Sequence, residues 1–288
     1  MKPLFISIEK TSTFAKAKLS RCCTGQIHSV YRKTINILTD QGLLALQAAG
    51  SPLSPISLIT ELSGNELQLL PVSKGNLVYF HENLLEIAGA QDRCRFSYEK
   101  ADIYNLEVSS SLSRAESEKL VCNLETVIKQ NHSGGLDMIF SQEPGSELPL
   151  MFAAARDRIA TASRLYTEGN HADSARELVR LLGLGIGLTP SGDDFLCGIL
   201  AGILLSSQEH TLFSRTLKKE ISLHLNDTID ISAAFLACAL EGQFSLAVNS
   251  LHDIPSPAEL LAAFSVIGHS SGMDTLCGVY FTLKLCNS

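Results

Sequence analysis

The sequence Gly183-Leu-Gly-Ile-Gly-Leu-Thr-Pro-Ser-Gly-Asp-Asp-Phe-Leu-Cys-Gly198 decides how the C-terminal half of the chain is interpreted. Three glycines alternate with aliphatic residues, hydroxyl and carboxylate side chains follow, and an apolar run continues to Leu205. Glycine permits backbone conformations and close contacts that other residues do not. A helix N-terminus suits an anion, because it carries unpaired N–H groups and a partial positive charge. The stretch therefore predicts a glycine loop leading into a helix, with a candidate anion site at the helix entrance.

Part of this stretch recurs 80 residues further along the chain. Ser191-Gly-Asp-Asp-Phe-Leu-Cys-Gly198 aligns with Ser271-Gly-Met-Asp-Thr-Leu-Cys-Gly278, and six of the eight positions are identical. Two copies are too few for a solenoid, so we interpret them as a degenerate pair of helix entrances. Glycine inside a helix costs roughly 1 kcal/mol relative to alanine. Gly198 and Gly278 therefore predict that the two helices cross there and that their N-termini form one composite pocket.

Helix capping is the simplest explanation for part of the motif. Ser-x-x-Asp before an apolar run is a capping box, which would satisfy free N–H groups at both entrances. Capping accounts for neither the alternating glycines nor the additional Asp193, so we favour a ligand site that coexists with the caps. Adjacent aspartates point about 100° apart on a helix. We therefore expect one of Asp193 and Asp194 to cap the helix and the other to face the pocket, with Asp193 preferred for function.

The candidate site residues lie at the two helix entrances or in the loops before them. Histidine can act as acid or base near neutral pH, and it can also donate to an oxyanion. The candidates for catalysis are Asp193, Asp194, His269 and Asp274. The candidates for ligand binding are Gly183, Gly185, Gly187, Thr189, Ser191, Gly192, Ser270, Ser271 and Gly272. Thr228, Asp230 and Ser232 form a third polar group that we consider either a helix cap or a pocket wall.

A carboxylate beside an anion site usually needs a cation between the two charges. Mg²⁺ is therefore a candidate cofactor, although the sequence assigns no metal ligands. Alternatively, the acid accepts a hydrogen bond from an amide of the substrate, and a carbamoyl NH₂ group fits that role.

These motifs resemble the DUF2877 family. The similarity lies in the glycine loop with its Ser-Gly-Asp-Asp-Phe-Leu continuation, in Gly268-His-Ser-Ser-Gly-x-Asp-Thr-Leu276, and in Gly25-Gln-Ile-His-Ser-Val30. That family, earlier labelled "putative carboxylase", includes the AllH-type subunit associated with oxamate carbamoyltransferase in allantoin catabolism. The resemblance adds His28 and Ser29 to the candidate ligand residues. It also implies a small anionic substrate such as carbamoyl phosphate or oxamate, and partner protein subunits.

Three interpretations of function remain open at this point. By resemblance, the chain is an AllH-like subunit in carbamoyl transfer between oxamate and carbamoyl phosphate, within purine-derived nitrogen catabolism. The helix dipole and glycine loop would then hold the anion, while an aspartate and His269 orient the carbamoyl group. The first alternative is a non-catalytic subunit that binds a small anion or supports assembly. The second is a magnesium-dependent helical hydrolase.

Other glycine-rich and cofactor motifs are not matched. The loop lacks the terminal Gly-Lys-Ser/Thr of a P-loop, and it follows a predicted helix rather than the strand that a Rossmann fingerprint needs. Neither a biotinyl-lysine motif nor a recognisable ATP-binding motif supports the carboxylase label.

Composition narrows the class of protein. The chain has 288 residues, a net charge of −7 and 45% hydrophobic residues. It can therefore bury a sizeable core, and its charge argues against non-specific binding to nucleic acid. Eight cysteines without a C-x-x-C pair argue against a zinc ribbon. The N-terminus lacks a signal-peptide pattern, and the run from Phe195 to Leu205 is too short to span a bilayer, so we expect a reduced, cytoplasmic protein.

The pattern along the chain predicts an α+β protein with two domains. Short apolar runs between turn signals favour a small barrel or sandwich in a β-rich domain over residues 1–145. The runs include 14–18, 26–39, 43–47, 56–62, 66–71 and 77–80. Residues 113–130 have helical spacing and end at Asn131-His-Ser-Gly-Gly135. Helical patterns dominate from 149 onward, which predicts an all-α bundle over 146–288.

Overall fold

The computed structural model describes residues 4–89, 93–109, 111–131, 133–141 and 147–287. Its contacts divide the chain into two compact units, Met1–Leu106 and Glu107–Ser288. Strands form the first unit and helices dominate the second, which confirms the predicted α+β class. The division between the units lies before residues 113–130, whereas the sequence placed a domain boundary near 145.

The described part of the first unit contains nine strands and two short helices. The strands are β1 (Leu4–Ser12), β2 (Thr24–Val30), β3 (Thr34–Thr39), β4 (Gly42–Gln47), β5 (Ser57–Thr60), β6 (Leu77–His81), β7 (Leu84–Ala88), β8 (Arg93–Ser97) and β9 (Asp102–Tyr104). The helices are α1 (Thr13–Leu19) and α2 (Gly64–Gln68). Neighbouring strands follow the order β5-β4-β3-β2-β6-β7-β8-β1, and β1 pairs with β5 to close an eight-stranded barrel. Strand β9 runs parallel to β1 outside this closed set.

Alternating side chains fill the barrel. Ile35 and Ile37 of β3 are fully buried, as are Leu85 and Ile87 of β7. Because successive residues of a strand point to opposite faces, such residues two positions apart line one side of the sheet. The barrel core is therefore built from side chains at alternate positions of the strands.

Two of the runs predicted as strands are helical. Residues 14–18 lie within α1, and the run 66–71 begins inside α2. The hydroxyl of Ser12 accepts a hydrogen bond from the Ala15 N–H at the start of α1. Ser63 and Glu66 form a capping box before α2. In both places a side-chain cap begins a helix where the short run of apolar residues predicted a strand.

The described part of the second unit contains ten α-helices. They are α3 (Arg114–Gln130), α4 (Asp137–Ser141), α5 (Leu150–Thr167), α6 (His171–Val179), α7 (Ser191–Leu205), α8 (Leu212–His224), α9 (Asp230–Leu240), α10 (Leu246–Asn249), α11 (Pro257–Phe264) and α12 (Ser271–Asn287). Short 3₁₀ segments follow α8 and α10. Among these helices, none is both long and apolar enough to cross a membrane.

Helix α3 belongs to this helical unit because it packs against α11 and α12. Leu120 and Leu124 are fully buried in the helical core. The Asn123 side-chain amide donates to the Pro255 carbonyl at 3.0 Å. These contacts explain why the division between the units precedes α3.

Helices α7 and α12 form the most extensive helix–helix contact of the described residues. A Cβ atom on Gly198 would lie 2.1 Å from the Thr275 carbonyl oxygen and 2.9 Å from Gly278 Cα. A Cβ atom on Gly278 would lie 2.1 Å from the Phe195 carbonyl oxygen. The two helices thus meet backbone to backbone, which confirms the crossing predicted from the repeated glycines.

We expect Gly198→Ala to destabilise the protein by about 2–3 kcal/mol, because overpacking forces the two backbones apart. In an uncrowded helix interior the same change would stabilise by roughly 1 kcal/mol. Denaturant unfolding measures the difference. Lys219→Ala, on the exposed side of α8, is the control and should stay within about 0.5 kcal/mol of wild type. A Gly198→Ala variant as stable as the control would contradict the close crossing.

Candidate functional site

The two repeat helices begin in the same way. A Cβ atom on Gly192, in the first turn of α7, would lie 1.9 Å from the Leu181 carbonyl oxygen. A Cβ atom on Gly272, in the first turn of α12, would lie 2.1 Å from the Phe264 carbonyl oxygen. In each copy the preceding turn lies directly against the new helix. This contact explains why the second position of both motifs is glycine.

The loops before the two helices differ. The segment from Leu181 to Gly192 is three residues longer than the matching segment from Phe264 to Gly272. The extra length carries the glycine loop, whose Ile186 is 91% exposed. Gly185 has a φ of +141°, and a Cβ atom there would lie 2.4 Å from the Ser191 nitrogen. The glycines therefore let an exposed loop turn closely over the start of α7.

Asp193 is engaged entirely with the protein. Its Oδ1 accepts from the Gly183 N–H at 2.7 Å. Its Oδ2 accepts from the hydroxyls of Thr228 at 2.5 Å and Ser232 at 2.6 Å. The side chain is buried, so Asp193 ties the glycine loop and the start of α9 to α7. The sequence favours Asp193 as the ligand contact, whereas in the structure its carboxylate accepts hydrogen bonds from three groups of the protein.

Asp194 and Asp274 have the opposite character. They occupy the fourth position of α7 and of α12, respectively. Within the described residues, neither Asp194 Oδ2 nor Asp274 Oδ2 has a hydrogen-bond partner, and both atoms are buried. A buried polar atom without a partner costs about 1–3 kcal/mol, so a pair of them at one place is a candidate ligand contact.

Burial sets the protonation of these two acids. Desolvation raises the pKa of Asp274 to about 6, against the lowering influence of the Leu136 N–H and of the Ser191 and Ser270 hydroxyls. Desolvation also raises the pKa of Asp194 well above its ordinary range, and the charge of Asp274 raises it further. The two acids are therefore coupled, and the charge of an ionised Asp274 disfavours ionisation of Asp194.

Hydroxyl groups interlock the two helix entrances. Thr189 Oγ1 and Ser271 Oγ lie 2.7 Å apart and share a hydrogen bond. The Ser271 hydroxyl lowers the pKa of Asp194, and the Ser191 hydroxyl lowers that of Asp274, so each serine faces the acid of the other helix. The predicted meeting of the two N-termini is thereby confirmed. The arrangement brings hydroxyls, two helix N-termini and two acid oxygens without partners to one place.

Comparison with known protein families agrees with this organisation. The AllH family N-terminal domain matches residues 6–103, and the family described as oxamate carbamoyltransferase subunit AllH matches residues 181–283. The chain belongs to the AllH family. The N-terminal match covers most of the barrel, and the match over residues 181–283 contains both helix entrances. No solved structure matches the chain.

A turn outside both AllH matches also reaches the site. The Leu136 N–H donates to Asp274 Oδ1 at 2.6 Å. Asp137, fully buried, holds the turn by accepting from the Ser133 N–H at 2.9 Å, the Ser133 hydroxyl at 2.6 Å and the Gly135 N–H at 2.9 Å. The sequence identified this stretch only as a helix stop. Its signal was the pair Gly134-Gly135 followed by an acid, which is typical of a turn that approaches another backbone closely.

The remaining candidates of this AllH-family chain lie in different settings. His269 is exposed just before α12, next to the half-buried Ser270. His28 and Ser29 belong to β2 of the barrel unit. There the Ser29 hydroxyl lies 3.0 Å from His28 Nδ1 and accepts from the Asn36 side chain at 3.0 Å. The structure thus brings together the acids and hydroxyls of the two helix entrances, with His269 exposed at the second.

The donor set for a metal is small. Among the described residues, no group of three or more histidine, cysteine, aspartate or glutamate side chains is placed to hold a metal ion. In the part of the chain that the structure describes, Asp194 and Asp274 are the two acids with unpaired buried oxygens. Mg²⁺ bound there would need its other ligands from hydroxyls, water or substrate oxygens.

We expect Asp193→Ala to lower the free energy of unfolding by on the order of 3 kcal/mol, because it leaves the Gly183 N–H and two hydroxyls without their acceptor. Thermal and denaturant unfolding measure the loss. Asp157→Ala removes an acid whose side chain is 79% exposed and should change stability little. Equal stability of the two variants would argue against the structural role of Asp193.

The raised pKa of Asp274 makes stability depend on pH. The folded-state pKa of about 6 exceeds the ordinary value of 3.8. The stability that depends on protonated Asp274 is therefore fully present below pH 3.8 and is lost as the pH rises through about 6. Between about pH 4 and pH 8, wild type should lose on the order of 3 kcal/mol relative to Asp274→Asn. Unfolding curves of both proteins across this range test the expectation. Asp157→Asn is the control, and parallel pH profiles for wild type and Asp274→Asn would contradict it.

Proposed function

We propose that this chain is a carbamoyltransferase subunit that binds a small carbamoyl-bearing anion where α7 and α12 begin. The observation that carries the proposal is the pair of buried, unpaired carboxyl oxygens on Asp194 and Asp274, set among hydroxyls and two helix N-termini. Family membership supplies the reaction class, because the family description names an oxamate carbamoyltransferase subunit. The substrates we propose are carbamoyl phosphate and oxamate.

The chemistry of the site suits a ligand that carries both an anionic group and an amide. Helix N-termini and the hydroxyls of Thr189, Ser191 and Ser271 can hold phosphate or carboxylate oxygens. A carboxyl group of the acid pair can accept from the carbamoyl NH₂. Such a ligand would pair the buried oxygens that the protein leaves unpaired. The free energy lost by burying them would then be recovered on binding.

Carbamoyl transfer itself moves the H₂N–C=O group from a phosphate oxygen to a nitrogen. The oxamate nitrogen attacks the carbamoyl carbon of carbamoyl phosphate, the carbon–oxygen bond to phosphate breaks, and a proton leaves the attacking nitrogen. In the proposed site the helix N-termini stabilise the charge that develops on the oxygens. His269, exposed at the start of α12, is the proposed acceptor of the proton.

We further propose that turnover requires partner subunits. Among the described residues, no lysine or arginine forms a salt bridge with Asp194 or Asp274. Phosphoryl groups are commonly held by cationic side chains or metal ions. A partner subunit or Mg²⁺ would supply that cation. The isolated chain should then bind the anion and leave turnover to the assembled enzyme.

Calorimetric titration of the purified chain tests the binding site. We expect carbamoyl phosphate and oxamate to bind wild type, and Asp274→Ala to weaken binding by about tenfold or more through loss of a charged hydrogen-bond partner. Titrations run with and without Mg²⁺ define any metal requirement. Asp157→Ala is the exposed control, and unfolding curves verify that Asp274→Ala is folded at the temperature of titration.

Two outcomes would overturn the proposal. Absence of binding to wild type, alone and with its partner subunits, would remove the anion site. Unchanged affinity in a folded Asp274→Ala variant would place the ligand elsewhere. In either case the paired helix entrances would be interpreted as a device for folding or subunit assembly.

A further inference from the structure

Asp194 and Asp274 occupy matching positions of the repeat, but their surroundings are not equivalent. Asp274 Oδ1 accepts the Leu136 N–H at 2.6 Å, from the turn Ser133–Asp137. Within the described residues, no backbone N–H donates to the carboxyl group of Asp194, and hydroxyls are its hydrogen-bond donors. Each acid keeps one buried oxygen without a partner. The pseudo-symmetry of the helices is therefore broken by a third element that contacts only one of the two acids.

The shape of the turn allows its backbone to approach the carboxyl group of Asp274 closely. Asp137 accepts three hydrogen bonds from Ser133 and Gly135, which fix its shape. A Cβ atom on Gly135 would lie 2.3 Å from Asp274 Oδ1, so a side chain at this position would push the turn away. Gly134, its neighbour, has nothing within 4 Å of such an atom. The absence of a side chain at Gly135 is what allows the Leu136 N–H to reach the carboxyl group.

The groups around the two acids limit the charge that the site can hold. On α7, the charge of Asp193 raises the pKa of Asp194, and the charge of Asp194 raises the pKa of Cys197. At the other entrance, the charge of Asp137 raises the pKa of Asp274, and the charge of Asp274 raises the pKa of Cys277. All of these are acidic groups, so none of them neutralises a second negative charge. A hydrogen bond to a carboxylate favours its ionised form. The acid that receives the Leu136 N–H is therefore the one that ionises, and the other keeps its proton.

We propose that the Ser133–Asp137 turn gives the two acids different roles, so that ionised Asp274 accepts from the amide of the ligand and neutral Asp194 donates to an anionic oxygen. This inference rests on the proposed function and defines its substrate class. The ligand carries a primary amide next to an anionic group, as both carbamoyl phosphate and oxamate do. Leu136 and Gly135 act as positioning residues, because they set the state of Asp274 rather than contact the ligand.

Infrared difference spectroscopy tests the protonation states without any ligand. At about pH 7.5, above the pKa of about 6 of Asp274, wild type should show the C=O band of a buried carboxylic acid. Asp194→Asn should remove this band, and Asp274→Asn should retain it. A band that disappears in Asp274→Asn and persists in Asp194→Asn would overturn the division of roles.

A matched pair of ligands tests the roles in binding. Acetyl phosphate replaces the NH₂ of carbamoyl phosphate by CH₃, so wild type should prefer carbamoyl phosphate by about tenfold or more. Asp194→Asn should retain affinity within about threefold, because its amide can still donate the hydrogen bond. Asp274→Asn should lose the preference. Equal affinity of wild type for the two phosphates would overturn the inference and leave anion binding intact.

Variants of the turn test its positioning role. Gly135→Ala should withdraw the Leu136 N–H, raise the pKa of Asp274, and move the pH at which carbamoyl phosphate begins to bind to a higher value. Gly134→Asn is the matched control, because asparagine tolerates the φ of +78° at Gly134 and open space surrounds the position, so it should leave that pH unchanged. A shift of equal size in both variants would show a general disturbance of the turn and overturn its specific role. If wild type binds neither phosphate, the proposed function fails, while the infrared bands still decide the division between the two acids.

Discussion

The backbone contact between α7 and α12 is the constraint on which the helical unit depends. Cβ atoms on Gly198 and Gly278 would each lie 2.1 Å from a carbonyl oxygen of the opposite helix. One turn further along, a Cβ atom on Gly202 would lie 2.7 Å from Thr282 Cβ. Helices can approach this closely only where side chains are missing, so the glycines fix the crossing point. Fixing that point also fixes the positions of both N-termini.

The crossing places two carboxyl groups in a setting that proteins normally avoid. Asp194 and Asp274 lie close enough that the charge of one raises the pKa of the other, and burial raises both. A buried charge without a partner is costly, so burial favours the protonated form of each acid. Cys197 and Cys277, one helical turn further into the core, also have pKa values raised by burial and stay protonated. Buried groups held unpaired in this way are common at sites whose partner is a ligand.

Sequence reasoning succeeded where spacing is set by regular geometry. The alternating apolar residues of 26–39 and 77–80 became barrel strands, and the longer periodic stretches became α3, α5, α7 and α12. It failed where one polar contact decides the outcome. Residues 14–18 alternate like a strand, yet the Ser12 cap begins a helix there. Closure of the barrel depends on pairing between β1 and β5, which are distant in the chain and carry no local signal of each other.

The sequence by itself determined the repeat, the crossing of its two helices, the meeting of the helix entrances and the family. Each follows from residues close together in the chain or from a direct comparison of two segments. Only the tertiary structure decided which contacts each acid makes. Asp193 is tied down by Thr228 and Ser232 of a separate segment, whereas Asp274 receives its hydrogen bond from Leu136, more than a hundred residues away. The state of a buried carboxyl group depends on the donors and charges that surround it in space, and the order of residues along the chain does not contain that information.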